Sequence, residues 1–276
     1  MHLLKRPLSI LVALLLVGYA AAAAGMFFLQ RNILFDTVDT GNLATAGTLA
    51  IEGSTRIVIK TSDGEELAGW YLAPQADQPV FLFMHGKRGE LEQRDERWRK
   101  IRDHGAGVLA FSYRGFPGST GAPSESGLHL DAFAAYNWLR ERHAAEDIVL
   151  HGYSLGTAVA IHLATEVPAS ALILEAPFTA IVDVAAERYP WLPVHFLMVD
   201  QFRSYDEIQN VKMPLLIVHG NQDKSVPYEQ AQRLYARANE PKTFVSMPGS
   251  THVSLVQDGL YSHIWSFLQQ VRQRMQ

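Results

Sequence analysis

Val149-Leu150-His151-Gly152-Tyr153-Ser154-Leu155-Gly156-Thr157-Ala158-Val159-Ala160 is the stretch from which the rest of this chain can be read. Its centre, Gly152 to Gly156, fits the pattern G-x-S-x-G. Before it, Asp147-Ile148-Val149-Leu150 is short and apolar, as a buried strand is; after it, Thr157 to Thr165 is small and apolar, as a packed helix is. Strand, sharp turn, helix is the context in which this pattern presents a nucleophile. A turn that tight has no room for a Cβ two positions either side of the serine, hence the two glycines. The turn lifts the Ser154 hydroxyl above the sheet edge, and the helix N-terminus aims free N–H groups at incoming negative charge. The bare pattern recurs by chance in about one chain in ten of this length, so its flanks and partners decide its meaning.

Composition narrows the classes. The chain has 276 residues, 48% of them hydrophobic, enough for a sizeable core. A net charge of −4 carries no nucleic-acid signature. The lack of cysteine excludes disulfides, thiolate metal sites and a cysteine nucleophile. No H-E-x-x-H or carboxylate cluster points to a metal, and no motif asks for a cofactor.

Leu8 to Leu29 carries no charge, with Lys5 and Arg6 before it and Arg31 after it. These 22 residues reach about 33 Å as a helix, enough to cross a bilayer core. An uncleaved single-pass anchor is the favoured reading, because the apolar run continues through Met26-Phe27-Phe28-Leu29. Two alternatives are a buried soluble helix and a cleaved signal peptide. The latter would have Leu8 to Tyr19 as its apolar region and a cleavage site within Ala20 to Ala24. The excess of positive charge before the span puts the amino terminus inside and the rest outside the cytoplasm, periplasmic if the source is bacterial.

Beyond Asp36 to Ala50, which reads as an irregular linker, apolar strand runs alternate with helical patterns. Strands are expected at Arg56–Lys60, Leu67–Leu72, Val80–Met84, Ala106–Phe111, Asp147–Leu150, Ala171–Leu174, Pro214–Val218 and Lys242–Met247. Helices are expected at Glu92–Asp103, Leu128–His143, after Ser154, at Tyr228–Ala238 and at Tyr261–Val271. The alternation predicts an α/β fold: a doubly wound, mostly parallel sheet covered on both faces. Ligands sit beyond the carboxyl ends of such strands. His85, Tyr113, Ser154, Ala176, Asp223 and His252 all fall just past strand ends.

A serine hydroxyl needs a base to take its proton, an acid to orient that base, and donors for the oxyanion. Asp223 follows the strand ending at Val218, and His252 follows the last strand, giving the order Ser, Asp, His along the chain. His263 also follows Asp223 but lies within the last helical pattern. Ser154, Asp223 and His252 are therefore the candidate catalytic residues. The backbone N–H groups of Leu155 and Lys87 are the candidate oxyanion donors.

With these residues assembled, His85-Gly86, Tyr113-Arg114-Gly115-Phe116-Pro117-Gly118-Ser119-Thr120-Gly121, Gly152 to Gly156, His219 to Asp223 and His252 together resemble the α/β-hydrolase superfamily. More narrowly, the chain resembles a small membrane-anchored branch that includes lysophospholipid lipases and protein depalmitoylases, with serine-aminopeptidase-type domains. The resemblance covers about Ile57 to Leu268 and implies cleavage of an ester or thioester, most simply in an acyl lipid, through an acyl-enzyme. One departure stands after His85-Gly86, where that branch commonly carries small residues and Asn: here the chain has Lys87-Arg88-Gly89-Glu90. These cations either meet an anionic substrate or point to water.

The expected layout is an anchor over residues 1–31, a linker over 32–54 and a hydrolase domain over 55–276 with a short lid at about 179–213. His85, Gly86 and Tyr113 at strand ends, with Trp191 and Phe196 in the lid, are candidate substrate contacts. The glycines at 115, 118 and 121 have the wrong spacing for a dinucleotide fingerprint and read as a turn. His151 reads as structural. Arg94, Arg97, Arg99, Lys100 and Arg102 give a basic helix, read as a solvated face or one meeting anionic lipid. Two alternatives stay open: a serine peptidase releasing N-terminal residues, and a non-catalytic binding protein on the same fold.

Overall fold

The computed structural model describes residues 5–37, 53–88, 91 and 94–275. Among them eight strands form one sheet: β1 (Thr55–Lys60), β2 (Glu66–Leu72), β3 (Val80–Met84), β4 (Gly107–Phe111), β5 (Ile148–Tyr153), β6 (Ala171–Glu175), β7 (Leu215–Gly220) and β8 (Lys242–Met247). Their order is β1-β2-β4-β3-β5-β6-β7-β8. β2 runs antiparallel to β1 and β4, and every other pair is parallel. The helices are α1 (Lys5–Leu34), α2 (Asp95–Asp103), α3 (Glu125–Arg140), α4 (Leu155–Glu166), α5 (Ile181–Arg188), α6 (Val194–Leu197), α7 (Ser204–Glu207), α8 (Tyr228–Arg237) and α9 (Leu260–Met275). The expected doubly wound α/β architecture is the one formed.

The central strands are apolar throughout because both faces are covered. Alternation along each strand divides the core in two. Leu82 and Met84 of β3 pack with Leu128 of α3, Val159 and Leu163 of α4 and Leu234 of α8. Phe81 and Phe83, the residues between, pack with Trp98 and Ile101 of α2 and Ile264 of α9. β1 and β8 lie at the edges and are only partly buried. Element ends shift where capping decides them. α3 starts at Glu125 rather than Leu128 because Ser124 Oγ accepts the Gly127 N–H at 3.1 Å. Glu92, expected in α2, lies outside the described residues.

The linker expectation is corrected at its start. Residues 32–34 continue α1, and Phe35 is buried against Phe202 in the core. Residues 38–52 lie outside the described residues. α1 contains a span, Leu8–Leu34, long and apolar enough to cross a membrane. Its second half lies against α5, α6 and the loops of the β6–β7 insertion. Tyr19 Oη donates to the Trp191 carbonyl at 3.1 Å, Ala23 and Met26 pack on a small cluster of Ala180, Val182, Leu192 and Val194, and Arg31 pairs with Asp200 at 2.7 Å.

Parallel register brings the carboxyl ends of the central strands level: Met84 faces Gly152, Tyr153 faces Glu175, and Gly220 faces Met247. Two close approaches lock the β5–α4 junction. A Cβ on Gly152 would meet Gly156 O at 2.5 Å, and one on Gly156 would meet Met84 O at 2.1 Å. Beneath the junction lies a buried charged cluster that takes in Arg97, from the helix read from sequence as a solvated face or one meeting anionic lipid. Arg97 of α2 is buried and grips both oxygens of Glu175, at 2.9 Å through Nη2, while His151 Nε2 meets Glu175 Oε1. The helix is basic, but Arg97 belongs to the interior. Burial alone would raise the Glu175 carboxyl; Arg97 and then His151 beside it more than reverse this, lowering its pKa to about 2. Burial also lowers the His151 imidazole, against the pull of Glu175.

Gly156→Ala places the new methyl against backbone that cannot swing away. A loss of about 3 kcal/mol is expected, the upper end of overpacking costs, read as a fall in the thermal midpoint. An unchanged midpoint would refute the contact with β3. The buried cluster makes stability depend on pH. Both groups have folded pKa values below their unfolded ones, so their contribution is complete above the unfolded values and lost on acidification. The loss begins below about 6.5 for His151 and runs from 4.5 to about 2 for Glu175. Glu175→Gln should cost about 3–5 kcal/mol near neutral pH by leaving Arg97 unpaired, and should flatten the acid limb. Denaturation across pH checks both; an unaltered acid limb would show that Glu175 does not carry it.

Candidate active site

Ser154 sits at the junction of β5 and α4 with φ 52° and ψ −119°, a conformation that non-glycine residues seldom adopt. Such a residue stores about 1–3 kcal/mol and persists only where its surroundings over-determine it. Here the Ser154 N–H donates to Glu175 O at 2.9 Å, and Thr157 donates to Ser154 O through N–H at 2.9 Å and Oγ1 at 2.6 Å. The strained turn leaves the side chain above the sheet edge. His252 Nε2 lies 2.9 Å from Ser154 Oγ, and His252 Nδ1 lies 2.7 Å from Asp223 Oδ2. The structure thus brings together three residues that the sequence separates by 98 and 29 positions. His263 is elsewhere, exposed on α9.

Two loops hold the His–Asp pair in place. Gly220 leaves β7 with its Cα pressed against the Ser250 carbonyl; a Cβ there would meet that oxygen at 2.3 Å. Gln222 N–H donates to the same carbonyl at 3.0 Å. Asp223 Oδ1 accepts the N–H groups of Ser225 at 2.7 Å and Val226 at 2.9 Å. Its Oδ2, besides meeting His252, lies 3.1 Å from Nε2 of the buried His219. Burial would raise this carboxyl, but the hydrogen bonds from His219 and His252 prevail and hold it well below the ordinary carboxylate range. It is therefore an anion facing an imidazole, able to fix one ring orientation and to offset a positive charge on it. Tyr153 Oη donates to His252 O at 3.1 Å and steadies the ring from the other side.

Leu155 is the first residue of α4, so its N–H has no partner within the helix. The second expected donor is set by His85. This ring is fully buried, and burial lowers its pKa to about 3. It is a neutral ring that accepts the Tyr113 N–H at Nε2, 3.2 Å away. Its Nδ1–H is then the donor to Gly86 O, at 2.7 Å. In a planar trans peptide the C=O and the following N–H point in opposite directions. With Gly86 O turned to His85, the Lys87 N–H turns away from it. Gly86 itself lies close to Ser154, since a Cβ on it would meet Ser154 Cβ at 3.3 Å.

Ser154 and His252 lie on the wall of a cavity of about 660 Å³, a size suited to a small-molecule ligand. Gly86, Lys87, Arg88, Arg94 and Arg188 also line it, and Arg88 is paired with Asp36 at 3.2 Å. Its apolar lining comes from Phe178, α5, α6, the loop after His252 and α1. Four of the expected substrate contacts are corrected. His85 and Tyr113 are fully buried beneath the site, ring against ring at 4.1 Å, and do not line the cavity. Trp191 is turned outward against Tyr19, and Phe196 is 90% exposed. Strand-end position marked the first two but could not say which way each ring points. Missed from sequence were His219, Glu175 and the α1 residues. For Glu175 the signal was a charge ending an apolar strand run.

Known proteins place the chain in the same group. The family model described as "Serine aminopeptidase, S33" matches residues 75–200. An uncharacterized protein of Mycobacterium tuberculosis is 36% identical over 253 residues, covering 90% of both chains. The lysophosphatidylserine lipase of Danio rerio is 32% identical over 197 residues, covering 64% of this chain and 52% of the lipase. In fold, an esterase of Pyrococcus furiosus superposes with a TM-score of 0.69 at 20% identity, over 86% of this chain and 98% of that one. Sheet order, the family match and kinship with the lipase agree: the chain belongs to the α/β-hydrolase superfamily and is a hydrolase.

Proposed function

We propose that this chain is a membrane-anchored serine esterase, cleaving carboxylic ester or thioester bonds of acyl lipids through an acyl-enzyme. One observation carries the reading: the line of hydrogen bonds from Ser154 Oγ through His252 to Asp223 ends in a cavity whose lining is mainly apolar. In the proposed reaction His252 Nε2 takes the Ser154 proton as Oγ bonds to the acyl carbon. The oxyanion rests on the N–H groups of Leu155 and Lys87, each worth about 3–4 kcal/mol of transition-state stabilisation. His252 then hands its proton to the leaving alcohol or thiol as the bond to the acyl carbon breaks. Water attacks the acyl-enzyme, gives a proton to His252, and the serine is regenerated.

The chain between β6 and β7 acts in this reading as the lid, and α1 as the anchor. The span Leu8–Leu34 contains an 18-residue stretch of mean hydropathy 2.3, and Lys5 and Arg6 before it favour a catalytic domain outside the cytoplasm. A peptidase releasing N-terminal residues would want a free carboxylate for the substrate amine. The acids of the insertion are engaged: Asp183 by Thr179 at 2.7 Å, Glu187 by Gln230 at 2.9 Å and Asp200 by Arg31 at 2.7 Å. Among the described cavity residues the acids are Glu175, gripped by Arg97, and Glu96, which faces a lining rich in cations.

Ser154→Ala should lower kcat for ester hydrolysis by about six orders of magnitude and abolish labelling by a fluorophosphonate. Retention of more than a few per cent of activity in pure protein would reject Ser154 as nucleophile, and an unlabelled parent chain would favour a binding protein. His252→Ala should be nearly inactive and His263→Ala close to the parent in steady-state assays. The opposite pattern would mean that the base is misassigned.

A further inference from the structure

The segment from Met26 to Leu34 of α1 contributes Met26, Phe27, Gln30, Ile33 and Leu34 to the lining of the cavity that holds Ser154. This is unexpected of a membrane anchor, which needs only to be long and apolar. Met26, Gln30 and Leu34 recur at helical spacing with Tyr19 and Ala23, so α1 presents one continuous stripe to the protein. Opposite the stripe stand Ile181 and Val184 of α5 and Val194 and Leu197 of α6.

The docking is specific. Gln30 Oε1 accepts the Val199 N–H at 2.7 Å, its Nε2 donates to Leu197 O at 3.2 Å, and Arg31 Nε donates to Asp200 at 2.7 Å. These bonds also occupy the polar side chain that α1 places in the lining. What α1 offers a ligand is therefore hydrocarbon: Met26, Phe27, Ile33 and Leu34. From Met26 to Leu34 the wall runs about 12 Å along the helix axis. Charge lies elsewhere on the cavity surface, at Lys87, Arg88, Arg94 and Arg188. An ester with its carbonyl carbon at Ser154 thus meets apolar wall on the α1 side.

We infer that α1 is one wall of the acyl subsite: the acyl chain of the ester lies between α1 and the β6–β7 insertion, along Met26 to Leu34. This rests on the serine-esterase reading above. It makes the anchor part of the enzyme and α1 a determinant of chain-length preference.

The test uses the full chain in detergent micelles and an alkyl fluorophosphonate with a chain of about ten carbons bearing a diazirine near its end. Ser154 Oγ bonds to phosphorus, fluoride leaves, and the serine proton passes to His252. Photolysis followed by peptide mapping should find crosslinks on the peptide containing Met26 to Leu34. Labelling of Ser154 with crosslinks confined to Val253–Gln257, on another side of the cavity, would overturn the inference and leave the esterase reading intact. Failure to label Ser154 at all would sink that reading and the inference with it. Kinetics give a second readout. Met26→Trp should lower the ratio of kcat/KM for dodecanoyl over butyryl p-nitrophenyl ester at least tenfold. Phe28→Trp, on the 79% exposed face of the same helix, should leave that ratio within twofold. Equal ratios in the two variants would count against α1 as a wall.

Discussion

The hydrogen bond from the Ser154 N–H to the Glu175 carbonyl, 2.9 Å long, is the constraint on which the site depends. It holds a non-glycine residue at φ 52°, where the backbone would not stay unaided. The carbonyl can do this because Glu175 is itself immobilised. Its side chain is gripped by Arg97 and His151, and its strand is paired on both sides, with β5 and with β7. Buried ion pairs are poor sources of net stability, because desolvation offsets much of their attraction. The pairing of Arg97 with Glu175 is better understood as positional. It ties α2 to the end of β6, directly beneath the turn that carries the serine.

Buried histidines recur at or near the ends of three central strands. His85 just past β3, His151 in β5 and His219 in β7 are all fully buried. Each bonds a group that the ending sheet leaves over: Gly86 O and Tyr113 N–H, the Glu175 carboxylate, and Val226 O with Asp223. Parallel sheets end in backbone groups that cannot all pair with a neighbouring strand, and a buried polar group needs a partner. An imidazole brings ring nitrogens to such corners: His85 bonds through both of its nitrogens, His151 and His219 through Nε2. Around Ser154, His252 and Asp223, then, stand three more imidazoles that hold the neighbouring groups in place.

α1 joins the apolar amino-terminal span to the cavity. It passes from an exposed apolar stretch, Leu8 to Val17, into a stripe that docks on the β6–β7 insertion, and then into the core at Phe35. The insertion is therefore held from both sides, by the body and by α1. Its outward apolar residues Trp191, Phe196 and Val199 stand next to the segments that α1 touches. A cavity bordered by these two pieces couples the position of α1 to the surroundings of Ser154.

By itself, the sequence determined the sheet and the order of its reactive residues. Runs such as Val80–Met84 and Leu215–Val218 are too short and too apolar for anything but buried strands. The glycines of G-x-S-x-G mark a turn that no other residue allows, and Asp223 and His252 follow strand ends in loops. These are local signals, because periodicity and turn chemistry depend on neighbours within a few residues. Tertiary structure decided what depends on partners far along the chain. Arg97 shares a helix with exposed Arg99 and Lys100, and only Glu175, 78 positions away, makes it a buried residue. His85 and Tyr113 stand at strand ends like true site residues, and only ring packing turns them inward. In α1 the docking stripe is hidden in a run that is apolar all round, so hydropathy cannot separate the outward face from the face that lines the cavity. Which face is which is settled by hydrogen bonds to Trp191, Leu197, Val199 and Asp200, and those exist only once the chain has folded.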